Sequence, residues 1–162
     1  MSAETFAVDD SHEVSNRQRK ISVGVAPLRD FLRTVKKDLG LAGSQITVGL
    51  VSDTEIARMN KAFRKMPGPT DVLSFPAVNG TKPVAITKGS PPIPNGTVLG
   101  DIAIAPETAR RYARKDGRSL SIELRILILH GVLHLLGYDH ESDRGEMSRL
   151  ENRLRSQYGL PR

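Results

Sequence analysis

The chain is 162 residues long, 38% hydrophobic and 26% charged, which fits one globular domain with a single core and excludes a disordered or low-complexity protein. It has no cysteine, so disulfides, thiolate ligands and a cysteine nucleophile are excluded, and any metal site must use imidazole, carboxylate or water. With 24 Lys and Arg against 18 Asp and Glu, the net charge of +6 favours anionic partners, although simple solubility charge explains it equally well.

Residues 1–12 carry Ser, Asp and Glu without apolar period and predict a flexible tail ahead of one domain over 13–162. The polar N-terminus resembles neither a secretory signal nor an anchor, and no apolar run approaches the roughly 18 residues that span a bilayer. The expectation is a soluble, cytoplasmic protein. Leu28, Phe31, Leu32, Val35 and Leu39 form a helical stripe, with Pro27 in the first turn and Gly40 as a stop. "QITVGLVS" predicts a strand, and Ser52 and Asp53 are N-cap residues for a helix over "DTEIARMNKAFR", where Ile56, Met59, Asn60 and Phe63 share a face.

"DVLSFPA" and "VLGDIAIAP" read as two more strands. Between them, the Pro- and Gly-rich stretch around residues 83–96 has no sustained period and predicts a surface loop. "PETARRYARKDGRS" predicts a helix whose basic face (Arg110, Arg111, Arg114, Lys115) reads best as a solvated surface. Ser119 opens "SLSIELRILILHGVLHLLG", apolar all round as a helix buried against a sheet would be. After a turn at "GYDH", a last helix is expected over Glu141–Tyr158, with Met147, Leu150, Glu151 and Leu154 at helical spacing.

Three of the four histidines fall in "HGVLHLLGYDH". On a helix, His130 and His134 stand four apart on one face, and Gly137 can end the helix so that the chain brings His140 back toward the same point. Three neutral imidazoles with a fourth position open describe a catalytic zinc site, where the metal lowers the pKa of its water to about 7. The bland alternative, three unrelated histidines, fits poorly with three in eleven residues at a spacing that has a mechanical explanation. The spacing His-x-x-x-His-x-x-Gly-x-x-His is similar to that of metzincin proteases, but their general-base Glu is replaced here by Gly131. Met147, a candidate for a methionine turn, reads better as core.

The same segment, His130-Gly131-Val132-Leu133-His134-Leu135-Leu136-Gly137-Tyr138-Asp139-His140, resembles the HGxLHLxGYDH signature of the YbeY family of endoribonucleases and ribosomal RNA maturation factors. "NKAFRKMPGPTDVLSFP" (60–76) and "LGDIAIAPETA" resemble two further blocks of that family, so the likeness runs over roughly residues 13–157. It implies an α+β fold with a mixed, roughly four-stranded sheet covered by helices, and a central buried helix carrying metal ligands. It also implies one zinc ion held by His130, His134 and His140, and processing of the 3′ end of small-subunit ribosomal RNA together with ribosome quality control. The implied partners are ribosomal RNA, small-subunit ribosomal proteins and a ribosome-assembly GTPase.

Arg64 occupies the position of the family's functional arginine, five residues before Pro69, and its guanidinium fork suits a phosphodiester. Asp139 has two readings, orienting a histidine or capping the turn before Glu141. Asp71 and Asp101 read as ordinary turn and cap chemistry, and the proton-transfer group stays unassigned. Two rivals to the nuclease are a metal-dependent hydrolase of another substrate and an assembly factor whose metal only holds the helix end. Aromatic residues make up just 4% of the chain, so RNA contact is expected mainly through phosphates, with steep salt dependence.

Overall fold

In the computed structural model, which describes residues 13–77 and 93–162, four strands and five helices are found among the described residues. The expected tail over 1–12 and most of the 83–96 loop lie outside the described residues. The strands β1 (Val14–Asn16), β2 (Gln45–Leu50), β3 (Val72–Pro76) and β4 (Val98–Ile104) form one sheet in the order β1-β2-β4-β3. The first three in that order run parallel, and β3 pairs antiparallel with β4. This is an α+β fold with a mixed four-stranded sheet.

Ile46, Val48 and Leu50 of β2 and Ile102 and Ile104 of β4 join one core. With them pack Leu28, Leu32 and Val35 of helix α1 (Val25–Asp38) and Leu124, Ile128 and Val132 of α4 (Leu120–Leu135). Alternation along the strands turns Ala103 and its neighbours to the other face, where Val51, Leu73 and Ala105 meet Ile56 and Met59 of α2 (Asp53–Arg64). Strand β4 is therefore covered on both sides, in keeping with its apolar run from Ile102 to Ala105, whereas β2 alternates Ile46, Val48 and Leu50 with Gln45, Thr47 and Gly49. Ser52 and Ser119 cap α2 and α4, accepting from the Glu55 and Ile122 N–H groups. Asp53 is not a cap. Its carboxylate accepts from Thr108 and Arg111 of α3 (Pro106–Lys115) and ties the two helices together.

Helix α4 is the expected central helix, buried from Glu123 to Leu135 with few interruptions. Gly131 lets it lie unusually close to the sheet: a Cβ at this position would stand 2.8 Å from Ile102 Cδ1. Position 131 thus faces β4, and the carboxylate that metzincins place there has no room.

Two expectations need correction. The last helix, α5, spans Glu146–Gln157 instead of beginning at Glu141. The Asp139 and Asp143 side chains bond nearby N–H groups, Glu141 for the first and Gly145 and Met147 for the second, and this turn chemistry outcompetes a helix until Gly145. Strand β1 was not expected from residue pattern, because three residues carry no period. Val14 is nevertheless buried, and the strand pairs with β2 from Val14↔Val48 to Asn16↔Leu50.

Candidate metal centre and cleft

Helix α4 ends in a Schellman motif: the Gly137 N–H bonds the His134 carbonyl and the Tyr138 N–H bonds the Leu133 carbonyl, with Gly137 at φ 95°. That conformation is open to glycine and strained for other residues. The motif also orients a histidine, because the Tyr138 carbonyl it delivers lies 2.9 Å from His134 Nδ1. A carbonyl only accepts, so Nδ1 carries the proton and the Nε2 lone pair is left free.

His130 is oriented from a different element. Its Nδ1 lies 2.6 Å from Oε1 of Glu151 on α5, and Glu151 Oε2 lies 2.9 Å from Arg155 Nη2. Burial pushes the Glu151 carboxyl up, but the His130 hydrogen bond and the cationic neighbours outweigh this and hold it below its ordinary value. Glu151 is a site residue that sequence reasoning missed. A carboxylate within an apolar helical stripe was the signal available. Asp139, by contrast, caps the turn: its carboxyl is held low by the Glu141 N–H and the Ser142 hydroxyl.

The two oriented rings face each other with Nε2 atoms 3.0 Å apart, and His140 approaches from the turn with ring centroids 5.7 and 5.5 Å away. Ligand atoms of all three lie within 4.8 Å of one another. Two facing lone pairs need a cation between them. One proton would serve two rings, and a third ring converging on the same point makes a set that could hold a metal ion. Burial and the neighbouring His130 depress the His134 pKa, which favours the neutral form that binds metal. The donor set fits one borderline metal with nitrogen preference, zinc among them, and the three histidines could hold it.

The histidines form one wall of a cleft of about 980 Å³, and Arg64, Thr70, Asp71 and Ser74 contribute to the other. Arg64 is exposed at the end of α2 and, among the described residues, makes no hydrogen bond or ion pair, so the reading as a helix-end arginine bonded to carbonyls is not what the structure contains. Asp71, left out of the sequence-based candidates, lines the cleft, and burial raises its carboxyl pKa against the pull of its own and Val72's N–H groups. No spacing rule marks a residue just ahead of a strand. Asp101 instead hydrogen bonds Thr47 on the neighbouring strand and is absent from the cleft lining.

The family profile described as Endoribonuclease YbeY matches residues 13–159. Among curated relatives, one named Endoribonuclease YbeY from Koribacter versatilis is 43% identical over 145 residues, covering 90% of this chain and 84% of the relative. Another of that name, from Solibacter usitatus, is 38% identical and covers 94% and 91% of the two chains. The solution structure of TM1509 from Thermotoga maritima superposes with a TM-score of 0.58 at 25% identity, over 91% of this chain and 89% of that one.

Proposed function

Because the chain belongs to the Endoribonuclease YbeY family, we propose that it is a zinc-dependent, single-strand-specific endoribonuclease, a hydrolase of RNA phosphodiesters. His130, His134 and His140 hold the ion and Arg64 is the catalytic phosphate-binding residue. The observation that carries this reading is the convergence of three imidazoles in one cleft with a guanidinium that makes no hydrogen bond or ion pair among the described residues.

Each residue then has a task. Glu151 and the Tyr138 carbonyl fix two ring tautomers, so both Nε2 lone pairs are directed to one point. Bound there, zinc supplies Lewis-acid stabilisation of charge on phosphate oxygens and lowers the pKa of water. Arg64 grips the non-bridging oxygens of the phosphodiester and stabilises the charge that grows on them. Asp71 lines the same cleft, burial pushes its carboxyl above the ordinary value, and it is the carboxyl we assign to take or give a proton there.

The same proposal includes the ribosomal setting that the family resemblance implies. The substrate is the 3′ end of small-subunit ribosomal RNA, the partners are small-subunit proteins and a ribosome-assembly GTPase, and the site of action is the cytoplasm. No helix of the described residues is long and apolar enough to cross a membrane. A protease-like reading is disfavoured by the packing of Gly131 against Ile102.

The test is cleavage of a single-stranded ribosomal RNA fragment by the purified protein, with metal content measured in parallel, for wild type, His134→Ala and Arg64→Ala. Cleavage lost in both variants, with metal lost only from the histidine variant, supports the assignment. Equal residual cleavage in all three proteins points to a contaminating nuclease and overturns it in favour of a binding factor.

A further inference from the structure

A second concavity lies beside the cleft. It is a groove of about 670 Å³ along α2, lined by Arg58, Lys61 and Lys65 with Pro67, Gly68 and Pro69. Arg58, Lys61 and Lys65 are spaced by three and four residues, so they form one stripe along the helix and its cap. All three are exposed, and none makes a hydrogen bond or ion pair among the described residues. The one carboxylate in the lining, Asp53, is already bonded to Thr108 and Arg111. The stripe therefore presents three uncompensated cations to whatever enters.

The groove is connected to the cleft through the chain itself. Lys65 ends α2 in the left-handed conformation, at φ 57°, and the consecutive residues Arg64 and Lys65 line different concavities, one the histidine cleft and the other the groove. From position 58 to 65 the stripe extends about 10 Å, against about 3.4 Å per stacked nucleotide of one strand, so it accommodates more than one phosphate. We infer that the groove is a track for the single-stranded RNA flanking the cleaved phosphate, held through its backbone by Arg58, Lys61 and Lys65. This rests on the endoribonuclease reading above and adds where the rest of the substrate runs.

The experiment compares labelled oligouridylates of about 5 and about 25 nucleotides, lengths that fill the cleft alone or the cleft and a neighbouring site. Binding is measured across a salt series and cleavage in parallel. The proteins are wild type, the triple variant Arg58→Gln/Lys61→Gln/Lys65→Gln, and a charge-matched control, Arg110→Gln/Arg114→Gln/Lys115→Gln on α3. The groove variant is expected to bind the long RNA at least about tenfold more weakly, with a salt slope shallower by about 2 for three lost phosphate contacts. Its affinity for the short RNA and its metal content stay at the wild-type level. Equal losses from the α3 control, equal losses on the short RNA, or no loss at all would overturn the track while leaving the nuclease reading intact. Wild type that binds long RNA through the groove yet cleaves neither length would keep the track and remove the nuclease. Wild type that binds neither RNA would remove both.

Discussion

On one wall of the cleft, His130 and His134 project from a helix buried almost all round. On the other, Arg64 stands exposed at the end of α2, followed by a loop with Pro67, Gly68 and Pro69. The histidine wall is held by apolar packing, a Schellman cap and hydrogen bonds to two ring nitrogens, whereas Arg64 on the other is exposed and, among the described residues, without a hydrogen bond or ion pair. On the proposed function, the difference follows from what each wall would bind. Metal coordination tolerates errors of a few tenths of an ångström in ligand position, so its donors need a stiff scaffold. A phosphodiester in a flexible polymer arrives in many poses, and a guanidinium on an exposed stem can meet several of them.

The largest effect is expected where the stiff wall loses a ligand. His134→Ala should abolish both stoichiometric metal binding and RNA cleavage, read by metal analysis and a cleavage assay. Arg64→Ala should separate the walls: metal content unchanged, kcat down by about 100- to 1,000-fold, as for removal of one donor to developing charge. If Arg64→Ala also loses metal, the two walls are not independent and the comparison fails.

Glu151→Gln probes the scaffold behind a ligand. The amide can keep a contact to His130 Nδ1 but not the charge, and metal affinity should weaken by about 10- to 100-fold. The measurement is a competition titration with a chromophoric chelator, which reads affinity without reference to turnover. Unchanged affinity would mean that the 2.6 Å contact serves packing of α5 alone. Gly131→Ala tests stiffness from the side of the sheet. Its new methyl would press on Ile102 at 2.8 Å, and stability should fall by about 1–3 kcal/mol in a denaturant melt.

How much of this was legible in the sequence tracks the range of the interactions involved. Helix α4 and strand β4 announce themselves through apolar runs, β2 through alternating Ile46, Val48 and Leu50, and the His130/His134 pair through a four-residue spacing that any helix converts into proximity. The end of α4 was legible because a glycine cap is a local device. Strand β1 was not, since three residues exist as a strand only by virtue of their pairing with β2, which lies more than thirty positions away in Val14↔Val48. The start of α5 was displaced by aspartate side-chain bonds that no apolar period reports. Likewise Glu151 joins His130 from 21 residues further along, a contact that depends on how α5 packs against α4. The three histidines and the local cap that orients His134 could be named from sequence, but the Glu151 contact that orients His130 is a property of the folded chain.

The smallest predicted effect sharpens the account of the arginine wall. Asn60, buried inside α2, donates from Nδ2 to the Gly68 carbonyl at 3.0 Å, and this bond fastens the loop that follows Arg64. Removing it by Asn60→Ala should cost about 1 kcal/mol of stability, the usual net value of one such bond. More informative is how the change divides between kinetic parameters. If the loop's only task is to let Arg64 reach phosphate, loosening it lowers the fraction of enzyme poised to bind, so KM for RNA rises a few-fold while kcat stays near wild type. If kcat falls with KM unchanged, Arg64 depends on a fixed loop to act in the transition state, and the arginine wall is as preorganised as the histidine wall despite its exposure. Metal content should be the same in either case, because among the described residues the Asn60 side chain bonds only the Gly68 carbonyl and no element that carries a histidine.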